Sequence, residues 1–197
     1  ERVIVLEDDP EEYSFILPRL YNSIFEQSKA FRTEALNEHQ QMLRMRGRPK
    51  VLLTHNEQEA LTFARKYPKN LLGFIGNSRL IMTGSGKTIP EILAESDPYM
   101  PILMVESGDG KKKSFEKKLQ KFILEELGFG DLTFIDPQNG ESVFKVSSLK
   151  DLQYNLDKIP DVSLIHHLRR NDISKWLYSR AMFPLAEFLK SFVYSEF

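Results

Sequence analysis

The residues with the strongest claim to chemistry are three consecutive acids, Glu7-Asp8-Asp9, closing a short apolar run from Arg2 to Leu6. Adjacent carboxylates at a strand end can hold a hard divalent cation through oxygen ligands, and Glu7 and Asp8 are the candidate ligands. The competing expectation is a solvated strand-to-helix turn in which Asp8 or Asp9 caps the next helix. A second phosphate-type signal is Thr83-Gly84-Ser85-Gly86-Lys87-Thr88. Its glycine amides and lysine fit a phosphate loop, but Ile81 stands where the full pattern needs glycine and Pro90 interrupts the long helix that should follow. Leu43 to Lys50 is a basic tract, expected to be a solvated helix end more than a phosphate contact. His166-His167 lacks the i, i+4 spacing and the neighbouring carboxylate of a metal site, and His39 and His55 lie far away in sequence. No Ser-His-Asp arrangement stands out.

These groups need elements to position them. Arg2–Leu6, 49–54, 71–75 and 101–105 are apolar, β-branched runs of the kind buried on both faces of a parallel sheet. Helical spacing falls between them: 11–43 with a break expected near Phe31 to Thr33, 57–67 with Ala60, Leu61, Phe63 and Ala64 inward, 89–95, and 115–127. Strands alternating with helices predict a doubly wound parallel sheet, whose sites gather at the carboxyl ends of the strands. Those ends carry Glu7-Asp8-Asp9, Asn77 and Glu106-Ser107. After residue 127 the pattern changes. Two short strands, 132–135 and 143–146, flank Asn139-Gly140, a hairpin signal. Ser147 or Ser148 caps a helix to about Leu156, and two further helices cover 163–178 and 184–192. The expected organisation is an α/β domain over 1–127 and a small α+β extension over 128–197.

Composition narrows the function classes. The 197 residues carry a net charge of −1, with 41% hydrophobic and 28% charged residues, so a real core can form. That charge gives no electrostatic case for nucleic acid or an anionic membrane. The absence of cysteine removes thiolate catalysis, disulfides and Cys-based zinc sites, and it fits a reducing, cytoplasmic compartment. No apolar run approaches membrane-spanning length, and the start does not read as a signal peptide.

Val3-Ile4-Val5-Leu6-Glu7-Asp8-Asp9-Pro10 resembles the opening of response-regulator receiver domains, which have a flavodoxin-like fold. The resemblance implies an acidic pair that helps bind Mg²⁺, here Glu7 and Asp8. It implies a phosphoacceptor aspartate ending the third strand, a Ser or Thr ending the fourth, and a lysine ending the fifth. The third-strand position falls on Asn77, whose amide cannot form an acyl phosphate. The switch position falls on Glu106, with Ser107 next to it, and a carboxylate there repels an incoming phosphoryl group. Only six residues separate Ser107 from Ser114, too few for the fourth helix and fifth strand. Lys111, Lys112 and Lys113 lie near the lysine's place without one being assignable.

The end of the chain carries a second resemblance. Gly128-Phe129-Gly130-Asp131-Leu132-Thr133-Phe134, Pro160-Asp161-Val162-Ser163, and the group His167, Arg170, Asn171, Ser174, Trp176, Leu177 and Arg180 resemble a region of bacterial proteins similar to phosphoenolpyruvate synthase and pyruvate phosphate dikinase. The basic tract at 43–50 fits the same group. This implies a regulatory or docking region of a phosphotransferase parent, itself non-catalytic, with a protein partner or adjoining domains as its contacts. His167, Arg170, Asn171, Ser174, Trp176 and Arg180 form the candidate interaction motif. The same residues could equally pack a core, with Trp176 and Leu177 inside and the arginines on carboxylates. Two rival functions follow from the receiver resemblance: a working Mg²⁺-dependent receiver in a phosphorelay, and a DNA-binding response regulator, for which Arg169, Arg170 and Lys175 offer few phosphate contacts.

Overall fold

The computed structural model describes residues 1–30 and 48–192. The chain divides into two compact units. The first holds Glu1–Phe25 with Arg48–Phe122, and the described part of the second is 26–30 with 123–192. The expected break in the long first helix, His39, and residues 43–47 of the basic tract lie outside the described residues.

The first unit is a four-stranded parallel sheet flanked by helices, compatible with a flavodoxin-like fold. Its strands are β1 (Arg2–Leu6), β2 (Lys50–Thr54), β3 (Leu71–Asn77) and β4 (Ile102–Val105). They lie in the order β2-β1-β3-β4 and every pair is parallel. The two continuous apolar runs take the central places: Val3 to Leu6 are buried throughout, and so is all of β3. That is why these runs show no polar alternation in the sequence. The third strand runs two residues past its expected end, which brings Asn77 into the ladder opposite Val105.

Helix α1 (Pro10–Ala30) starts where Asp9 Oδ1 accepts the Glu11 N–H at 2.9 Å, the capping role expected of the acidic turn. Helix α2 (Glu57–Lys66) is capped by Asn56 and buries Ala60 and Ala64. Helix α3 (Ile89–Ser96) opens on a full capping box, Thr88 with Glu91. Pro90 sits in its first turn, where a missing N–H leaves nothing unbonded. Residues 83–88 ahead of it close into a tight turn: the Thr83 N–H donates to Lys87 O at 3.0 Å and the Gly86 N–H to Thr83 O at 3.0 Å. Lys87 pairs with Glu95 at 2.6 Å. The segment is a loop-to-helix connection in which the Thr83, Gly86 and Thr88 N–H groups and the Lys87 ammonium are already bonded. Helix α4 (Lys113–Lys121) buries Phe115 and Leu119 and ends in a widened turn, Phe122–Glu126. One face of the sheet packs Ile4, Leu6, Phe74 and Ile102 against Ala60, Ala64, Ile89 and Leu93 of α2 and α3. Residues 109–111 form a single 3-10 turn between β4 and α4, so no fifth strand of this sheet occurs among the described residues.

The second unit opens on the hairpin β5 (Leu132–Ile135) and β6 (Ser142–Val146), antiparallel as expected, with Gly140 at φ 74 in the turn. Ser148 caps α5 (Leu149–Asn155) by accepting the Asp151 N–H. The helix expected over 163–178 is two helices, α6 (Asp161–Arg169) and α7 (Asp172–Ser179). Asn171 breaks it in the left-handed region at φ 60, a conformation asparagine tolerates better than most residues. Helix α8 (Phe183–Phe192) completes the unit. Phe134, Val146, Ile173, Trp176 and Leu177 form its core.

Gly128 joins the widened turn to β5 at φ 76, and a Cβ there would stand 2.8 Å from Trp176 N and 2.9 Å from Lys175 C. The backbone of α7 cannot retreat as a side chain could. Gly128→Ala is expected to cost about 2–4 kcal/mol, measured as a drop in the urea midpoint without change of slope.

Candidate functional site

The strand order reverses at β1, so the crevice beyond the carboxyl ends of β1 and β3 is the place such a sheet reserves for a ligand. Glu7 and Asn77 occupy it. Glu7 is 1% exposed and Asn77 2% exposed, so their polar atoms must find partners inside the protein. They find each other: Asn77 Nδ2 donates to Glu7 Oε2 at 2.8 Å. Glu7 Oε1 accepts the N–H groups of Asp8 and Asp9, both at 3.1 Å. Asn77 Oδ1 accepts the Arg79 N–H at 3.0 Å, and the Arg79 guanidinium pairs with Asp8. His55 Nδ1 carries its proton toward Glu7 O at 3.2 Å, because a carbonyl can only accept.

The structure therefore brings Glu7, Asp8 and Asn77 together, as the strand ends predict, but in a donor-saturated arrangement. Three N–H groups point at the Glu7 carboxylate, and a guanidinium sits on Asp8. A Mg²⁺ ion at Glu7 and Asp8 would have to displace the Asn77 amide and Arg79, and an octahedral oxygen shell does not accept N–H groups as ligands. Among the described residues no group of three or more His, Asp or Glu side chains is arranged to hold a metal ion. As they stand, these residues do not fit the ion. Arg79 was not among the residues expected to matter. Its signal was its place two residues beyond a strand end, one side-chain length from the acidic turn.

Glu106 and Ser107 are exposed at the end of β4. Glu106 Oε2 accepts the Ser78 hydroxyl at 2.6 Å, and its N–H donates to Asp109 Oδ2 at 3.2 Å. Lys112 Nζ donates to Asp109 Oδ1 at 2.9 Å, and that hydrogen bond holds the carboxyl below the usual aspartate range. Glu12 reaches the same loop, accepting the Gly108 N–H at 3.0 Å. Of the three lysines near the expected fifth-strand position, Lys111 pairs with Glu11 at 2.6 Å and Lys112 with Asp109. Both of these are committed to local carboxylates.

In the second unit the C-terminal motif separates into a core lock and a cleft wall. Trp176 and Arg180 are 0% and 1% exposed. The indole N–H donates to Gly130 O at 3.0 Å, and the Arg180 guanidinium lies 3.8 Å from the centre of the Trp176 ring. Arg180 also donates to Gly130 O at 3.0 Å, Gly128 O at 3.3 Å, Trp176 O at 3.3 Å and Ser147 O at 3.4 Å. Ser174 Oγ donates to Asn171 O at 2.9 Å and fixes the helix break. His167 and Arg170 line an open cleft of about 740 Å³ together with Asp131, Lys145, Asp172 and Lys175.

His167 has the carboxylate neighbour that its sequence surroundings had not suggested. Asp172, five residues on, approaches Nδ1 at 2.8 Å. The Ile135 N–H donates to Nε2 at 3.1 Å, so Nε2 is unprotonated and Nδ1–H faces Asp172. With both ring nitrogens engaged and the ring 6% exposed, His167 ties α6 to β5 and to the start of α7. In this unit it is a structural histidine. Burial, and then the neighbouring His167, push the His166 imidazole below its ordinary value. Asp172 also takes Arg170 Nε at 3.3 Å. Sequence reading missed Asp172 because only the left-handed turn at Asn171 folds it back on His167.

No helix among the described residues is long and apolar enough to cross a membrane. No protein-family model, curated protein or solved structure matches the chain.

Proposed function

We propose that this chain is an interaction or regulatory module built on a receiver-like sheet that no longer accepts a phosphoryl group. One observation carries the reading: at the end of β3, where the receiver resemblance expects a nucleophilic carboxylate, the Asn77 amide donates to the buried Glu7 carboxylate. A carboxamide nitrogen in that role has neither the lone pair nor the charge to attack phosphorus. Arg79 on Asp8 supplies internally the positive charge that a metal ion would otherwise bring. The resemblance at the C-terminal end points to a parent protein similar to phosphoenolpyruvate synthase, in which this region contacts a protein partner or an adjoining domain.

The test is exposure of the chain to acetyl phosphate with Mg²⁺, and separately to beryllofluoride with Mg²⁺. Intact mass is expected to stay unchanged with the first, and the ¹⁹F spectrum to show no protein-bound resonance with the second. A covalent phosphoryl adduct would restore the working-receiver reading.

A further inference from the structure

The final turns of α2 and α3 leave a groove between them at the amino ends of β3 and β4, the opposite end of the strands from the Glu7–Asn77 crevice. Leu61 and Ala64 of α2, Ile92 and Leu93 of α3, Leu71 at the start of β3 and Met100 ahead of β4 line it. All of them belong to the first unit and to the described residues. Ala64, Leu71 and Leu93 are buried in the core on this face of the sheet, so packing fixes the floor. Leu61, Ile92 and Met100 are half-buried and leave apolar surface along the walls. The short side chain of Ala64 keeps the gap open, since a larger one would close it.

Size says what the groove can take. Its volume is about 70 Å³. An apolar cavity that holds benzene measures about 150 Å³, so a side chain the size of valine or leucine fits here and an aromatic ring does not. Sites for free small molecules start at about 300 Å³ and enclose most of the ligand. The occupant is therefore one aliphatic side chain whose parent molecule lies outside the groove.

Charge says what stands beside that side chain. Arg65 of α2 also lines the groove. It is exposed, and its guanidinium has no hydrogen-bond or ion-pair partner among the described residues. The acids of α3 and of its C-cap are engaged elsewhere. Glu91 serves the Thr88 cap, Glu95 pairs with Lys87, and Asp97 Oδ1 accepts the Tyr99 N–H at 3.0 Å. Ser96 adds a hydroxyl on the α3 side. An apolar slot for one side chain, rimmed by an unpaired cation, suits an anchor residue that has an acid next to it.

We infer that this groove docks a peptide segment of a partner protein through one aliphatic side chain, with a neighbouring carboxylate pairing with Arg65. This rests on the reading of the chain as an interaction module and gives the partner a chemistry.

The test titrates the full chain, labelled with ¹⁵N and in its methyl groups, with a heptapeptide followed by NMR. The peptide carries one leucine flanked by glutamates in a glycine–serine frame, so either chain direction brings an acid to Arg65. A single anchor gives weak binding, at about 1 mM or above, which chemical shifts still follow. Shifts are expected at Leu61, Leu71, Ile92 and Met100, smaller as salt screens Arg65. Phenylalanine in place of the peptide's leucine is expected to weaken binding about tenfold. Arg65→Glu should weaken it about fivefold and make a lysine-flanked peptide the better ligand. Ala64→Leu fills the groove and should abolish the shifts while holding or raising the melting temperature. If Ala64→Leu fails to fold, the phenylalanine peptide asks the same question of the wild-type chain. Absence of shifts at the groove, equal binding of the leucine and phenylalanine peptides, or indifference to Arg65→Glu would overturn the inference. So would sedimentation showing a dimer that Arg65→Glu dissolves, since the occupant would then be a second copy. None of these outcomes bears on the acetyl phosphate result, so the two readings fail separately.

Discussion

Asn77→Asp, which places a second acid beside Glu7, is expected to destabilise the first unit by about 3 kcal/mol at neutral pH and to make it responsive to Mg²⁺. The change replaces a donor 2.8 Å from Glu7 Oε2 with a second acceptor, in a pocket where both residues are at most 2% exposed. Two carboxylates sharing one buried site cannot both ionise at ordinary cost, so one of the pair titrates far above the usual range. The sign follows from linkage. A carboxyl whose folded pKa is raised binds its proton more tightly when folded, so the penalty is absent below the unfolded value of about 4 and grows as pH rises through it. Thermal melts of wild type and variant should therefore converge near pH 4 and separate by neutrality. Mg²⁺ should raise the variant's melting temperature and leave the wild type unmoved, because Asn77 and Arg79 already hold the wild-type acids. Equal melting of the two proteins at neutral pH would show that the Glu7–Asn77 bond is not what closes the crevice.

The largest stability effect is expected in the second unit. Trp176→Ala should cost about 3–5 kcal/mol, enough to unfold a unit of this size on its own. The ring is fully buried, its N–H satisfies Gly130 O, and the Arg180 guanidinium lies over it, 3.8 Å from its centre. Removing the ring opens a cavity and takes away the surface that positions a buried guanidinium serving four backbone carbonyls. Trp176→Phe keeps most of the volume and the face beneath Arg180, and it loses the indole N–H. Its cost should fall to about 1–2 kcal/mol. Far-UV circular dichroism in urea separates the two variants. Trp176 is the sole tryptophan of the sequence, so wild-type fluorescence reports on this unit alone. A small effect of Trp176→Ala would mean that the motif serves a surface contact and not the core.

Much of the first unit was legible because its strands announce themselves. Val3 to Leu6 and residues 71–75 are unbroken apolar runs, and only a strand covered on both faces tolerates that pattern. The acidic turn, the Asn77 position and the Glu106 position were legible for the same reason, since strand ends in such a sheet converge. Pairings between elements could not be read. Arg79 on Asp8, Glu12 on the Gly108 N–H and Asp172 on His167 each join residues whose sequence context carries no periodic signal. The helix break at Asn171 escaped for a related reason: residues 161–179 keep helical spacing on both sides, and a single left-handed residue leaves that spacing nearly intact.

The sequence by itself determined the alternation of strand and helix, the hairpin at Asn139-Gly140 and an amide in place of a carboxylate at position 77. Those depend on residue type and local spacing, which the chain carries wherever it folds. Tertiary structure decided what the acids do. Whether Glu7 and Asp8 face a cation or an amide and a guanidinium depends on where β3 ends and where Arg79 reaches, and that is fixed only when strands distant in sequence align.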